Sequence, residues 1–171
     1  FEVALPAWVF GESRYAFCSD HRVVFAASSD GVDHLAVYDT IERRVDRISI
    51  ESTSISQIRV SRSVAVFLGA SFTSEPAVIS ALIGRGGAVS RPSIVSGAPG
   101  GGISSALLST GQPITFPTDG GIAHAIFYPP TNAGFVAPDG ERPPLIVMIH
   151  GGPTSSAQAA LNLRTQFWTS R

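Results

Sequence analysis

The sequence predicts a mixed fold, in which a β-rich part precedes the beginning of an α/β layer. Short apolar strand candidates separated by turn residues recur through roughly the first 95 residues, and a stretch rich in glycine and proline follows at 92–112. Beyond it, five consecutive apolar residues, Leu145–Ile149, precede a segment with helical spacing. Hydrophobic residues make up 44% of the 171 residues and charged residues only 15%, which excludes a disordered polyelectrolyte.

The first set of strands is predicted from apolar runs that lie between turn signals. Val23–Ala26 is a strand candidate, and His34–Tyr38 is the next one. Between them lies Ser28–Gly31, whose Asp-Gly pair supports the positive φ angles of a tight hairpin. A further strand with alternating character is predicted over Val45–Ile50.

A second set of strands repeats the first at a nearly constant distance along the chain. Its candidates are Ile58–Val60, Ser63–Leu68, Ala77–Ile83 and a short strand at 88–90 that follows the glycine turn 84–87. Matching strand centres are 41, 42 and 44 residues apart, in the pairs Val24 and Ala65, Ala36 and Val78, and Val45 and Val89. A repeat of about 40–50 residues with four short strands is typical of propeller blades, so we expect two adjacent antiparallel blades within 13–91. A β-sandwich has similar short strands, and the spacing alone leaves both architectures open.

The segment after the linker is predicted to begin a different layer. Ile114–Phe116 and Gly121–Tyr128 are strand candidates. The unbroken apolar run Leu145–Ile149 is typical of a strand that helices cover on both faces. A helix is predicted over 155–171, capped by Thr154 or Ser155, and we expect it to bury Met148 and its neighbours.

The loop between the apolar run and the predicted helix is His150-Gly151-Gly152-Pro153. Two successive glycines let the backbone turn sharply and leave its N–H groups unshielded. Such N–H groups near the start of a helix can bind an anionic oxygen, as the oxyanion hole of an acyl-transfer enzyme does. The alternative is a plain strand-to-helix turn, and the position directly after an apolar strand favours the oxyanion role.

Several segments of the chain resemble serine peptidases of the prolyl oligopeptidase family, particularly the acylaminoacyl-peptidase and dipeptidyl-peptidase branch. The segments that carry the resemblance are Pro144–Ser155, Ile114–Thr118, Ala125–Pro130, Gln166–Arg171 and, less specifically, Trp8–Gly11 and Tyr15–Phe17. In that family a β-propeller precedes an α/β-hydrolase domain. The resemblance therefore implies the C-terminal blades of a β-propeller plus a linker over 1–112, followed by the first strands and helix of a truncated α/β-hydrolase domain over 113–171.

The resemblance also implies hydrolysis of short peptides by a Ser/Asp/His triad, with a propeller that restricts entry to small substrates. It assigns oxyanion donors to Gly152 and Gly151, whereas His150 shapes the loop and is not the catalytic base. In this fold the triad follows the oxyanion loop, and the sequence contains no Gly-x-Ser-x-Gly motif. The nearest approximation, Gly102–Ala106, lacks the last glycine and follows a glycine-rich linker, so we interpret it as unrelated to catalysis. Both ends look like cuts, so we expect a fragment of a longer enzyme that is inactive alone.

Charge and the remaining side chains constrain the partners. The 12 basic and 13 acidic residues give a formal net charge of -1, which provides no electrostatic argument for nucleic acid or an anionic membrane. His21 and His34 each lie beside an aspartate on a strand, where neighbours point to opposite faces, so no metal site is expected. Cys18 has no partner for an internal disulfide and is expected to be a partly buried apolar residue.

The expected partner is a small peptide substrate, and no cofactor is expected. The sequence leaves a homo-oligomeric parent open, and the default compartment is the cytoplasm because no leader is visible. Two alternatives to the peptidase remain: a fragment of an α/β-hydrolase esterase, which shares the His-Gly-Gly loop, and a non-catalytic β-rich binding module in which that loop is only a turn.

Overall fold

A computed structural model of the chain describes residues 2–4, 8–84, 90–97, 102–152 and 154–171. The named strands form two four-stranded antiparallel sheets and one two-stranded hairpin. In chain order, strands β1–β10 and helix α1 are Tyr15–Ser19, Arg22–Ser29, Val32–Asp39, Arg44–Arg47, Ser54–Ser61, Val64–Ser71, Ser74–Leu82, Ser93–Ser96, Gln112–Thr118, Gly121–Phe127 and Leu163–Thr169.

Each four-stranded sheet is a meander, because strands that are neighbours in the chain are also neighbours in the sheet, in the orders β1-β2-β3-β4 and β5-β6-β7-β8. The predicted Asp-Gly hairpin joins β2 to β3, and both residues have the positive φ angles of a primed turn, 53° at Asp30 and 75° at Gly31. The β5–β6 turn has the same geometry without a glycine, since Arg62 and Ser63 have φ angles of 46° and 69°.

The two sheets pack against each other and share one apolar core. The first sheet contributes Val24, Ala26, Leu35 and Val37, and the second contributes Ile55, Ile58, Ala65 and Phe67. The sheets approach most closely through their first strands, β1 and β5. A sandwich with Greek-key connections would exchange strands between its sheets, whereas here each sheet is one continuous meander. This β-rich architecture of antiparallel sheets is consistent with propeller-like blades.

The boundaries of the second sheet differ from the prediction. Its last strand is β8 at Ser93–Ser96, inside the stretch expected to be a linker, and Ile94 pairs with Ile79 of β7. The predicted strand at 88–90 and its Val89 centre lie largely outside the described residues, as does most of the glycine turn 84–87. In the first sheet, β4 ends at Arg47 rather than at the predicted Ile50, because its register with β3 ends with the pair Ala36 and Arg47.

The segment after the linker begins with a two-stranded hairpin that belongs to neither four-stranded sheet. Within the described residues, strands β9 and β10 pair only with each other. Their register is continuous, from the pair of Gln112 with Phe127 to the pair of Thr118 with Gly121. The end of this hairpin lies against both sheets, since Ile126 approaches Gly31 in the β2–β3 turn and the Tyr128 ring meets that of Phe72, with centroids 5.9 Å apart.

The buried strand predicted at 145–149 is not confirmed by this structure. Met148 is 50% exposed, and no described segment pairs with the run. A strand needs a neighbouring backbone, and its apolar side chains need covering layers, neither of which the described residues supply. The α/β-hydrolase start is therefore not confirmed by the fold.

The predicted helix forms, but it is much shorter than the predicted 155–171. It begins after Asn162, whose side-chain oxygen accepts hydrogen bonds from the N–H groups of Arg164 and Thr165, at 3.0 and 3.3 Å. Thr154 and Ser155 are therefore not the cap. The buried residues of α1 are the polar Thr165 and Gln166, whereas the expected apolar face is exposed. No helix in the described part of the chain has the length and apolarity needed to cross a membrane.

Candidate functional site

The candidate oxyanion loop lies on the surface, directly after the exposed apolar run. His150, Gly151 and Gly152 are all exposed, and Pro153 lies outside the described residues. Gly152 has a φ of +69°, which favours glycine, although a Cβ there would meet no atom within 4 Å. Among the described residues, the N–H groups of Gly151 and Gly152 donate to no acceptor. The predicted role requires N–H groups that can reach an oxygen of the substrate.

The loop belongs to a long connection, residues 133–158. Each end of the connection is bonded to the rest of the chain, and these two bonded ends form its base. On one side, the Thr131 N–H donates to the Thr169 carbonyl at 2.7 Å and the Asn132 amide donates to the Ser170 carbonyl at 2.6 Å. On the other side, Ala159 is buried, and its carbonyl accepts a hydrogen bond from the Thr53 hydroxyl at 2.5 Å. The position of the connection is thus determined at its base.

A buried polar cluster lies at this base. The side-chain oxygen of Gln166 accepts from the Ser109 N–H at 2.6 Å, and its nitrogen donates to the Ser109 carbonyl at 3.0 Å. The same nitrogen is 3.5 Å from the Phe72 carbonyl, and the Ser109 hydroxyl donates to the Pro129 carbonyl at 2.6 Å. Sequence reasoning missed this cluster because glutamine and serine are usually surface residues.

A second buried polar cluster, also missed, joins the two sheets. Arg14 and Asp33 form a two-fold hydrogen-bonded ion pair with N–O distances of 2.8 and 3.0 Å, and Ser28 donates to the same carboxylate. Ile55 donates its N–H to Asp33 at 2.8 Å and accepts from Arg14 at 3.3 Å. The pair therefore satisfies the free backbone edge of β5.

These hydrogen bonds determine the protonation of Asp33. Burial by itself raises the pKa of the Asp33 carboxyl, but hydrogen bonds from Arg14, Ser28 and the Ile55 N–H outweigh it and hold the pKa below its usual value. The two residues are 19 positions apart, and only the packing of the sheets shows that they meet.

The remaining candidate residues make local contacts that a structural role explains. Ser104 of the approximate serine motif caps a short 3-10 turn at Ser105–Leu107 by accepting from the Ala106 N–H. Cys18 is partly buried against the core, as expected, and its burial raises the pKa of the thiol. His21 lies 3.8 Å from the Asp39 carboxylate on the surface. Within the described ranges, no three His, Cys, Asp or Glu side chains are grouped so as to hold a metal ion.

The chain is similar to solved peptidase structures over almost its whole length. A crystal structure of puromycin hydrolase matches 98% of the chain with a TM-score of 0.87 at 27% sequence identity, and a serine-to-alanine variant complexed with PGG matches with a TM-score of 0.86. A puromycin-hydrolyzing peptidase from Mycobacterium tuberculosis matches 99% of the chain with a TM-score of 0.82 at 26% identity. No protein-family model and no curated sequence matches the chain significantly.

These matches confirm the resemblance to serine peptidases of the prolyl oligopeptidase family. The chain spans 25% of the length of puromycin hydrolase and 26% of the mycobacterial peptidase. These structural neighbours are hydrolases, and the activity of a whole protein that contains this chain is a matter for proposal.

Proposed function

We propose that the chain is part of a serine peptidase, in which propeller blades over 1–112 lead into the peptidase domain over 113–171. The observation that carries the proposal is the match to puromycin hydrolase at a TM-score of 0.87, which includes both parts of the chain. Contacts between the two parts of the chain support the proposal. The Tyr128 ring after β10 meets that of Phe72, and Gln166 of α1 bonds to Ser109.

In this proposal, the His150 loop contributes to the oxyanion hole. The Gly152 N–H, together with that of Gly151, stabilises the oxygen that becomes negative when the substrate carbonyl is attacked. The exposed loop and the unbonded N–H groups support this role, since an oxyanion donor must have no other acceptor in the resting enzyme. His150 helps to shape the loop and does not act as the base.

The nucleophilic serine, the acid and the catalytic histidine are proposed to come from other parts of the full-length protein. The sequence of this chain has no Gly-x-Ser-x-Gly motif, and an α/β-hydrolase needs the residue after the serine for its second oxyanion donor. The chain alone is therefore proposed to be inactive. The exposed run Leu145–Ile149 is proposed to be a strand of the peptidase sheet that those other parts complete.

The proposed substrates are short peptides and related amides, cleaved without a cofactor. The resemblance to the acylaminoacyl-peptidase and dipeptidyl-peptidase branch defines the assay for the full-length protein. We would test puromycin, single-residue, dipeptidyl and N-acetylated aminoacyl anilides, and a p-nitrophenyl ester. Amide cleavage that a serine-directed inhibitor abolishes supports the peptidase. Ester cleavage alone identifies an esterase, and no cleavage of any compound favours a non-catalytic binding module.

A substitution in the loop tests the oxyanion role directly. Because valine cannot easily adopt the +69° φ angle of Gly152, Gly152→Val distorts the loop and moves its N–H groups. We expect kcat for a short peptide anilide to fall by about 10²–10³, the usual cost of losing an oxyanion donor. Gly140→Val is the matched control, since Gly140 also has a positive φ, of +83°, and open space around it. Equal kcat values for the two variants, with both proteins folded, would refute the oxyanion assignment.

A further inference from the structure

The side-chain amide of Gln166 and the backbone of Ser109 form a hydrogen-bonded pair, the clasp, that holds α1 to the blades. The two groups are almost completely buried, with Ser109 at 0% and Gln166 at 4% exposure. The Gln166 amide pairs with both backbone groups of Ser109, in the manner of a neighbouring strand, and its nitrogen also faces the Phe72 carbonyl in the β6–β7 turn. One side chain therefore connects the helix, the linker and the second blade.

Gln166 is one of the two buried residues of the helix, together with Thr165. Helix α1 has only seven residues, too few to be stable in water by itself. Its large apolar side chains do not hold it in place, because Leu163, Phe167 and Trp168 are each about half exposed. The helix is therefore held by polar contacts, which are those of Gln166 and the bonds that its last residues accept from Thr131 and Asn132. Loss of the Gln166 amide would leave the Ser109 N–H buried without an acceptor.

The clasp lies next to the base of the connection that carries the His150 loop. Thr169, three residues after Gln166, accepts the hydrogen bond of the Thr131 N–H, where the connection departs. Ser109 itself donates to the carbonyl of Pro129, two residues before that point. The N-terminal end of the connection 133–158 is thus bonded beside the clasp, whereas its other end, at Ala159, is bonded to Thr53. The loop residues themselves are exposed.

We propose that Gln166 is a positioning residue for the oxyanion loop: through α1 and the base of the connection, it determines where the Gly151 and Gly152 N–H groups lie relative to the blades. This inference rests on the proposed peptidase function. Gln166 does not touch the substrate, so it acts only through the loop. Misplacement of a catalytic group by about 1 Å can cost about 10² in rate, so release of the clasp should be visible in catalysis.

The proposal predicts an effect on kcat rather than on KM. Oxyanion stabilisation operates in the transition state and hardly at all in the ground state, so its loss lowers kcat and kcat/KM together. For Gln166→Leu in the full-length protein, we expect kcat for a short peptide anilide to fall by about 10- to 100-fold, with KM within twofold of the unmodified enzyme. Gln158→Leu is the matched control, because Gln158 is exposed and, among the residues that the structure describes, bonds only to Ser156.

Amide hydrogen exchange in the same proteins provides a readout that does not depend on activity. The Ser109 N–H is bonded directly to the Gln166 side chain, and the Thr131 N–H marks the base of the connection. We expect both amides to exchange at least tenfold faster in Gln166→Leu and at the unmodified rate in Gln158→Leu. Faster exchange at Ser109 with unchanged exchange at Thr131 would overturn the proposal, since the clasp would then not hold the base.

A second variant keeps the test decisive if Gln166→Leu does not fold. In Gln166→Glu the ionised side chain can still accept from Ser109 but cannot donate, whereas the protonated acid can do both. The described groups that bond to the Gln166 side chain are the backbone of Phe72 and Ser109 and the hydroxyl of Thr169, and none of them titrates in this range. We expect the kcat of Gln166→Glu, divided by that of the unmodified enzyme, to rise at least threefold between pH 8 and pH 5.5.

The outcomes separate the two proposals. If the unmodified full-length protein cleaves the substrates and Gln166→Leu has the kcat of Gln158→Leu, the positioning role is refuted and the peptidase stands. A rise in KM with unchanged kcat would also refute it. If the unmodified protein cleaves nothing, the peptidase proposal fails, and the exchange rates at Ser109 and Thr131 decide whether the clasp holds the base.

Discussion

The ion pair between Arg14 and Asp33 makes a strong prediction about the stability of the paired sheets. Asp33→Asn preserves the shape of the side chain but removes its charge. The Arg14 guanidinium then remains inside the interface, with its side chain only 10% exposed, and has lost its counter-charge. Asparagine also keeps one of the two accepting oxygens, so its nitrogen cannot accept the two bonds that the replaced oxygen receives, either those from Arg14 and Ile55 or those from Arg14 and Ser28.

The expected loss is large. Removal of one partner of a buried ion pair costs about 3–5 kcal/mol of unfolding free energy, mainly because the other charge stays buried without a partner. For a protein of 150–250 residues, the melting temperature falls by about 2–4 °C per kcal/mol. We therefore expect Asp33→Asn to lower the melting temperature by about 6–20 °C.

The assay is thermal and urea unfolding of the chain, followed by far-UV circular dichroism. Asp46→Asn is the matched control, because Asp46 forms its ion pair with Arg44 on the surface of β4, where such pairs contribute little. We expect the control to melt close to the unmodified chain. A melting temperature for Asp33→Asn that equals the control would refute the argument that this pair stabilises the contact between the sheets.

The same pair predicts a pH dependence with a definite sign. The pKa of Asp33 is lowered in the folded chain, whereas an unfolded aspartate titrates near about 3.9. The stabilisation is therefore fully present above that unfolded value and is lost as the pH falls through the lower folded pKa. The stability difference between the unmodified chain and Asp33→Asn should be constant at neutral pH and shrink below about pH 4. A difference that shrinks instead above pH 5 would contradict the assigned direction.

Three further changes test other contacts. Gly111→Ala should lower the unfolding free energy by about 1–3 kcal/mol in urea titrations, because its Cβ would lie 2.6 Å from Phe72 and 2.7 Å from Ile126. Asn162→Ala should lower the helix signal of α1 in NMR chemical shifts and cost about 1 kcal/mol, since the cap is lost. Val147→Arg should increase the soluble fraction of the isolated chain without changing its melting temperature, because Val147 is 71% exposed in an apolar run.

The sequence predicted the strands best where the conformation of a turn depends only on the residues in it. The Asp30-Gly31 turn is an example, since its geometry depends on two residues and the hairpin follows from them. The Arg62-Ser63 turn has the same geometry, but no residue there favours a positive φ, so only the pairing of β5 with β6 explains it. Strand β8 was missed for a related reason, because its register with β7 rather than its own composition defines it.

The two buried polar clusters could not be predicted from one sequence. Arg14 and Asp33 lie on different elements, and a lone aspartate before a histidine is typical of a surface strand. The Ser109 and Gln166 contact joins residues 57 positions apart, through a backbone pair that leaves no mark in composition. The candidate oxyanion loop could be identified from the sequence more easily, because its glycines are consecutive and follow an apolar run. The sequence did not show that this run is exposed.

That exposure bears on which of the three functions is correct. Leu145–Ile149 are all between 48% and 86% exposed, and successive residues of an extended chain point to opposite sides. Such a run is buried only by a strand neighbour with apolar layers above and below. Helix α1 does not provide them, because its own Leu163, Phe167 and Trp168 are exposed as well. Apolar segments that need covering therefore flank the His150 loop on both sides, as in a sheet and helix layer that further strands extend. The proposed hydrolase domain accounts for these open surfaces, because further strands and helices of such a domain would cover them.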